Sequence, residues 1–224
     1  MKLIFLLFLV LFTSCGEVKK PPKAVKGVLD LKNWNLKKDG PLDLGGEWKF
    51  HWNEFKEPSV SSALENGDLV NVPGTWTSKE KPNIKRQGYG TYVLKVEGIT
   101  PKEVVAFISP SVYMAYKVYL VPFDKTQSAR LILKAGKVGT VKEEELPESY
   151  KVRVKGVGFQ KGFYLVVHMS NFHHGRSGGF RKGLKIGEDS QMKRNYMVDQ
   201  IFGAFILGIL FIISFYHLVL YVQR

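Results

Sequence analysis

GEWKFHW, residues 46–52, sets the large side chains of Trp48, Phe50 and Trp52 against polar Lys49 and His51. Alternation with a period of two is the signature of a strand with one buried face. The same pattern recurs outward along the chain. Tyr92, Leu94 and Val96 alternate with Thr91, Val93 and Lys95, and Tyr150, Val152 and Val154 with Lys151, Arg153 and Lys155. Val104–Ser109, Tyr116–Val121 and Arg130–Leu133 add further strands, with brief ones at Val28–Leu31 and Trp34–Leu36. Phe163–Met169 (FYLVVHM) is apolar nearly throughout, as expected of a strand covered on both faces. Turn residues separate these runs at Asp39-Gly40-Pro41, Gly45-Gly46, Pro73-Gly74, Gly136, Gly139 and Gly178-Gly179. Only Ser61–Glu65 reads as a helical turn. The fold class expected is all-β, an antiparallel jelly-roll sandwich over residues 27–187, with Trp48 and Trp52 in its core.

The two ends read differently. Met1-Lys2 followed by apolar Leu3–Phe12 and small Thr13-Ser14 is a signal-peptide pattern over residues 1–15. It ends on Cys15, the single cysteine of the chain, in a place that resembles a bacterial lipobox and would carry a lipid anchor. The lipobox prefers Leu three residues before the cysteine, where this chain has Phe12; cleavage after Gly16 and an uncleaved anchor are the alternatives. Residues 16–26 (GEVKKPPKAVK) read as an extended flexible tether. At the other end Ile201–Val222 (IFGAFILGILFIISFYHLVLYV) carries no charge and is long enough to cross a bilayer as a helix. A helix capped by Asp189 or Ser190 is predicted to run into it, making residues 188–224 a juxtamembrane and transmembrane unit. Ser214 and His217 are polar groups within the span, where such groups face other helices or a cavity. An exported head puts Lys193-Arg194 outside the membrane, against the usual excess of cations on the cytoplasmic flank.

The chain has 224 residues and a formal net charge of +13. An exported protein does not meet nucleic acid, and its cations are scattered, so no nucleic-acid partner is expected. The clusters Arg181-Lys182 and Lys193-Arg194 lie near the membrane, where anionic headgroups attract cations. Catalysis is poorly supplied. No pair of carboxylates is placed to flank a glycosidic bond, since Glu143-Glu144-Glu145 reads as a solvated loop, and no serine elbow occurs. The densest polar cluster is Asn171–Gly179, with His173, His174 and Arg176. Two imidazoles and a guanidinium suit a carboxylate, a phosphate or a set of sugar hydroxyls. Adjacent histidines point opposite ways on extended chain and no acidic or thiol group lies in the cluster, so neither metal nor cofactor is expected. The bland alternative is a loop in which Asn171 and Arg176 tie strand ends together. Trp76, after Val72-Pro73-Gly74-Thr75, sits in a turn and is the tryptophan best placed to stack on a sugar, with packing over the end of the sandwich as the commoner alternative for such a residue.

Six segments occur in an order that resembles a known family. They are Leu44–Trp52, Val72-Pro73-Gly74-Thr75-Trp76, Gly88-Tyr89-Gly90-Thr91-Tyr92, Ala115-Tyr116-Lys117-Val118-Tyr119, Gly136-Lys137-Val138-Gly139 and Ser170-Asn171-Phe172-His173-His174. From Val28 to Arg224 the chain is similar to the extracellular domain 2 and first membrane helix of bacterial seven-transmembrane receptors with diverse intracellular signalling modules, the DISM receptors. The resemblance implies a galactose-binding-like jelly roll outside the cell and a carbohydrate or similar small ligand. It also implies seven helices and a cytoplasmic output such as a cyclase, kinase or phosphatase. One span and no output module are found here, so the expectation is a truncated or split receptor portion, with partner helices. Its place would be the bacterial inner membrane, with residues 16–199 on the periplasmic side. The alternative is an envelope lipoprotein that binds carbohydrate without signalling. Trp76, Arg86, Tyr89, His173, His174 and Arg176 are the candidate ligand contacts.

Overall fold

The computed structural model describes residues 19–59, 66–77, 84–99, 104–109, 113–124, 127–148, 153–158 and 162–223. The leader with Cys15, the helical turn expected at Ser61–Glu65 and the start of the Tyr150–Lys155 alternation lie outside them.

Among the described residues eleven strands form two sheets. In chain order they are β1 (Val28–Asp30), β2 (Leu42–Asp43), β3 (Gly46–Trp52), β4 (Asp68–Val72), β5 (Gly88–Glu97) and β6 (Val104–Ile108). Then come β7 (Ala115–Pro122), β8 (Arg130–Ala135), β9 (Arg153–Gly158), β10 (Gly162–Asn171) and β11 (Lys185–Glu188). The larger sheet runs β4-β3-β5-β10-β7-β8, with β1 parallel to β5, and the smaller runs β2-β11-β6-β9. From β5 onward the chain passes repeatedly between the sheets, the crossing pattern of a jelly roll. All other pairs are antiparallel, and the longest joins Gly88–Glu97 to Gly162–Asn171 over the full length of both strands.

The alternation on β3 does what the sequence predicts. Trp48 and Phe50 are buried between the sheets, and Trp52 packs on the edge of the same core. Phe107 of the smaller sheet meets Phe163 of the larger edge to face at 5.8 Å, both fully buried. Burial of each such ring contributes about 1.5–3 kcal/mol. Every residue of β10 is buried, as expected of the central strand.

Three expectations need correction. β5 has no solvent face at Thr91 and Val93. The segment 54–57 crosses over it, with the Thr91 hydroxyl donating to the Glu54 carbonyl and accepting from Lys56 N–H at 2.7 and 3.0 Å. Val93 joins a second apolar cluster with Val121, Tyr164 and Val166 on the outer side of the sheet. The tether also ends earlier than expected. Ala24 is buried and bridges Gly46, its N–H donating to Gly45 O and its carbonyl accepting from Glu47 N–H. Trp34–Leu36 is no strand; the Asn35 side chain accepts from Lys37 and Lys38 N–H and turns the chain there.

The outer face of the larger sheet carries two imidazoles. His168 donates from Nε2 to the Lys56 carbonyl at 2.8 Å, and its ring stacks on Phe55. Burial holds both His168 and His51 below the ordinary histidine value of 6.5, and the nearby Lys56 charge adds to this at His51. In the unfolded chain both imidazoles take up protons near that value, whereas in the folded chain they resist. The unfolded state then binds more protons, so stability falls as pH drops from about 7 to 5. Thermal melting across that window should show the decline, and the double variant His51→Gln, His168→Gln should flatten it.

One helix follows, α1 (Asp189–Val222), continuous over 34 residues or about 50 Å. Its cap is Glu188, not the expected Asp189 or Ser190. The Glu188 carboxylate accepts from Gln191 N–H and from the Ser190 hydroxyl, which holds it below the usual carboxylate range. Asp189 and Met192 are buried against the sandwich, whereas the residues from Met197 to Val222 are exposed all round and almost wholly apolar. The helix is 34 residues long, and its uncharged run from Ile201 makes it long and apolar enough to span a membrane.

Candidate functional site

β10 ends at Asn171, and residues 172–184 loop across the end of the sandwich to β11. The side chain of Asn171 is buried and gathers that loop. Its amide N–H groups donate to the Arg86 and Arg176 carbonyls, both at 3.0 Å, and its oxygen accepts from His174 N–H at 3.2 Å. Two main-chain segments 90 residues apart are thereby pinned to one side chain. Arg86 and Arg176 are both exposed, and among the described residues neither guanidinium has a carboxylate partner.

Beneath the histidines lies Glu145, only 1% exposed. Its carboxylate accepts from the Ser170 hydroxyl (2.9 Å), from Phe172 and His173 N–H (2.6 and 3.2 Å) and from the His173 ring at Nδ1 (3.0 Å). A carboxylate only accepts, so Nδ1 carries the hydrogen and Nε2 of His173 points away from Glu145. A buried carboxylate is tolerated when donors surround it, and here four do. Glu145 therefore belongs to the site, contrary to the solvated loop expected for Glu143-Glu144-Glu145. Its two neighbours are exposed, and nothing local in the sequence distinguishes it from them. The partner that decides its role, Ser170, is 25 residues away.

The His174 ring lies parallel to Tyr113, with centroids 5.5 Å apart, and among the described residues its buried Nδ1 has no hydrogen-bond partner. Tyr113 is 66% exposed, so that stacked pair forms part of the surface beside the arginines. Tyr89 lies opposite Ser170 on β5, half-buried, with its ring on Phe55 at 4.8 Å. The structure thus brings Arg86, His173, His174 and Arg176 to one loop, and sets Tyr89 beside it.

Trp76 does not belong with them. It is 3% exposed, donates from Nε1 to the Tyr92 hydroxyl at 2.7 Å, and packs against Phe50 and Trp52. The turn that carries it is covered by loop 172–184: Trp76 N–H donates to Gly178 O, and Gly74 N–H to Phe180 O. A side chain at Gly178 would come within 2.3 Å of the indole, so glycine is required for the loop to lie flat on it. Gly179, at φ +118°, is required for its conformation as well.

Two exposed guanidiniums, an outward imidazole and an aromatic stack suit a ligand bearing a carboxylate or several hydroxyls.

No protein-family model matches the chain, and no curated protein matches it. Solved structures do show similarity over about two thirds of its length. A GH2 β-galacturonidase from Eisenbergiella tayi bound to galacturonate is 13% identical, covering 66% of this chain and 24% of its own, with a TM-score of 0.42. A glycosyl hydrolase family 2 member from Bacteroides cellulosilyticus is 12% identical over 66% and 20%, with a TM-score of 0.45. A β-glucuronidase from Ruminococcus gnavus is 13% identical over 66% and 28%, with a TM-score of 0.40. The chain spans about a quarter of the length of these proteins. The fold class rests on the chain's own sheets: an antiparallel β-sandwich followed by one long apolar helix.

Proposed function

We propose that the chain is the ligand-sensing portion of a membrane signalling receptor, with its sandwich on the periplasmic side of a bacterial inner membrane. The observation that carries this reading is the shortness of the path from site to span. Loop 172–184 is followed directly by the four-residue strand β11, whose last residue, Glu188, caps α1. No linker intervenes, so a ligand that shifts the loop also biases the attitude of the helix. The motif order that resembles the DISM receptors supports the same assignment, including further membrane helices and an output module as partners of Ser214 and His217. The role is binding rather than catalysis, because Glu145, the acidic group of the site, is spent on holding the loop. Were Cys15 lipidated and no partner helices present, the same head would serve an envelope lipoprotein that binds carbohydrate.

The ligand is a carbohydrate or a similar small molecule, held by Arg86, His173 and Arg176. A glycan panel with neutral and acidic sugars, applied to the purified chain, tests this. Saturable binding is expected, weakened about tenfold or more by Arg86→Ala with Arg176→Ala, at an unchanged melting temperature. Binding indifferent to both substitutions would remove the site from this loop.

A further inference from the structure

We propose that the chain binds the headgroup of an anionic phospholipid in a basic cavity between the sandwich and the first turns of α1. The proposal rests on the reading that α1 spans a bilayer. The cavity has a volume of about 910 Å³ and is walled by Arg181, Lys182 and Lys185 on one side and by the helix from Met192 to Asp199 on the other. Four cations line it: Arg181, Lys182, Lys185 and Arg194. Two carboxylates line it as well. Asp43 sits 3.8 Å from Lys185, and Asp199 is the last charged residue before the apolar run. Lys193 is engaged by Asp189 at 2.7 Å and does not enter the cavity. Among the described residues no carboxylate pairs with Arg181, Lys182 or Arg194. Three unpaired cations around one hollow are the arrangement an anion neutralises.

Its position selects the kind of anion. Arg194 precedes Ile201 by seven residues, which on a helix is about 10 Å, so the cations stand at the level of the phosphate layer when the apolar run fills the hydrocarbon. The helix wall of the cavity is partly apolar, with Met192, Tyr196 and Val198 leading down to the span. A phosphate with a glycerol backbone beneath it matches that division. A free anion would meet only the upper half. The same site accounts for Lys193-Arg194 lying on the wrong flank for the positive-inside rule: Arg194 faces a headgroup, and Lys193 is neutralised by Asp189.

The full chain, reconstituted in vesicles of equal phosphatidylglycerol and phosphatidylcholine and released into neutral detergent, can be weighed with its retained lipid by native mass spectrometry. Wild type is expected to retain phosphatidylglycerol in preference to phosphatidylcholine. Arg181→Gln, Lys182→Gln and Arg194→Gln together should reduce that preference on the order of a hundredfold, and Arg194→Gln alone about fivefold. All three side chains are exposed, so melting should not change. A control with Lys20→Gln, Lys23→Gln and Lys142→Gln should keep the preference. Equal retention of both lipids, an equal loss in the control, or displacement of the lipid by inorganic phosphate would each overturn the proposal, the last by making the site one for free anions. A chain that leaves the vesicles in an alkaline carbonate wash would overturn the spanning helix itself. Retention in the vesicles without lipid preference would overturn only the headgroup site.

Discussion

Trp76→Ala is expected to lower the stability of the sandwich by about 3–5 kcal/mol, the usual cost of removing a large aromatic from a packed core. The ring is enclosed by Phe50, Trp52 and the glycine-rich stretch of loop 172–184. Truncation leaves a cavity between loop and sheet, and it deprives the buried Tyr92 hydroxyl of the indole N–H at 2.7 Å. Trp76→Phe should cost less, because much of the packing survives while part of the ring volume and the hydrogen bond to Tyr92 are lost. Denaturant unfolding followed by tryptophan fluorescence measures both. If Trp76→Ala abolished ligand binding at an unchanged unfolding midpoint, the indole would have to face the ligand, and its burial would be wrong.

Glu145→Ala should act on stability and on the site together. It strips the acceptor from four donors at once: the Ser170 hydroxyl, the Phe172 and His173 amides, and the His173 ring. Water reaches a site so enclosed only if the loop opens. The expected cost is about 3–5 kcal/mol, as for breaking a buried charged pair. Glu145→Gln keeps one acceptor oxygen but turns an amide group toward N–H donors, so it should fall between wild type and alanine. Hydrogen exchange distinguishes this from general destabilisation. The amides of Phe172 and His173 should lose protection in Glu145→Ala before those of the central strand do. Uniform loss of protection would mean that Glu145 supports the whole sandwich rather than its loop.

The architecture was legible where one physical signal dominated. The alternation of GEWKFHW, the unbroken apolar run of β10 and the uncharged run from Ile201 each reflect a single environment along a short stretch, and each appears in the structure as read. The errors came where the environment was set by distant chain. Nothing near Thr91 and Val93 announces that residues 54–57 will cross over them. Ala24 looks like part of a polar tether until it meets Gly46. Glu145 resembles its acidic neighbours because its donors arrive on a strand 25 residues later. Trp76 follows a Pro-Gly turn, a local signal for exposure, but the loop that buries it begins almost 100 residues on. The polar cluster itself was visible as a dense run of histidine, arginine and glycine. What could not be read was the division of labour within it, in which Asn171 and Glu145 organise while Arg86, His173 and Arg176 face outward.

The sensing role proposed for this chain requires the sandwich and the far end of α1 to lie on opposite sides of a bilayer. A reporter enzyme that becomes active only outside the cytoplasm measures this directly when fused at two points, after Glu188 and after Arg224. The account predicts strong activity for the first fusion and none for the second. Activity at both would mean that the helix does not cross, and the sensing role would fall with it.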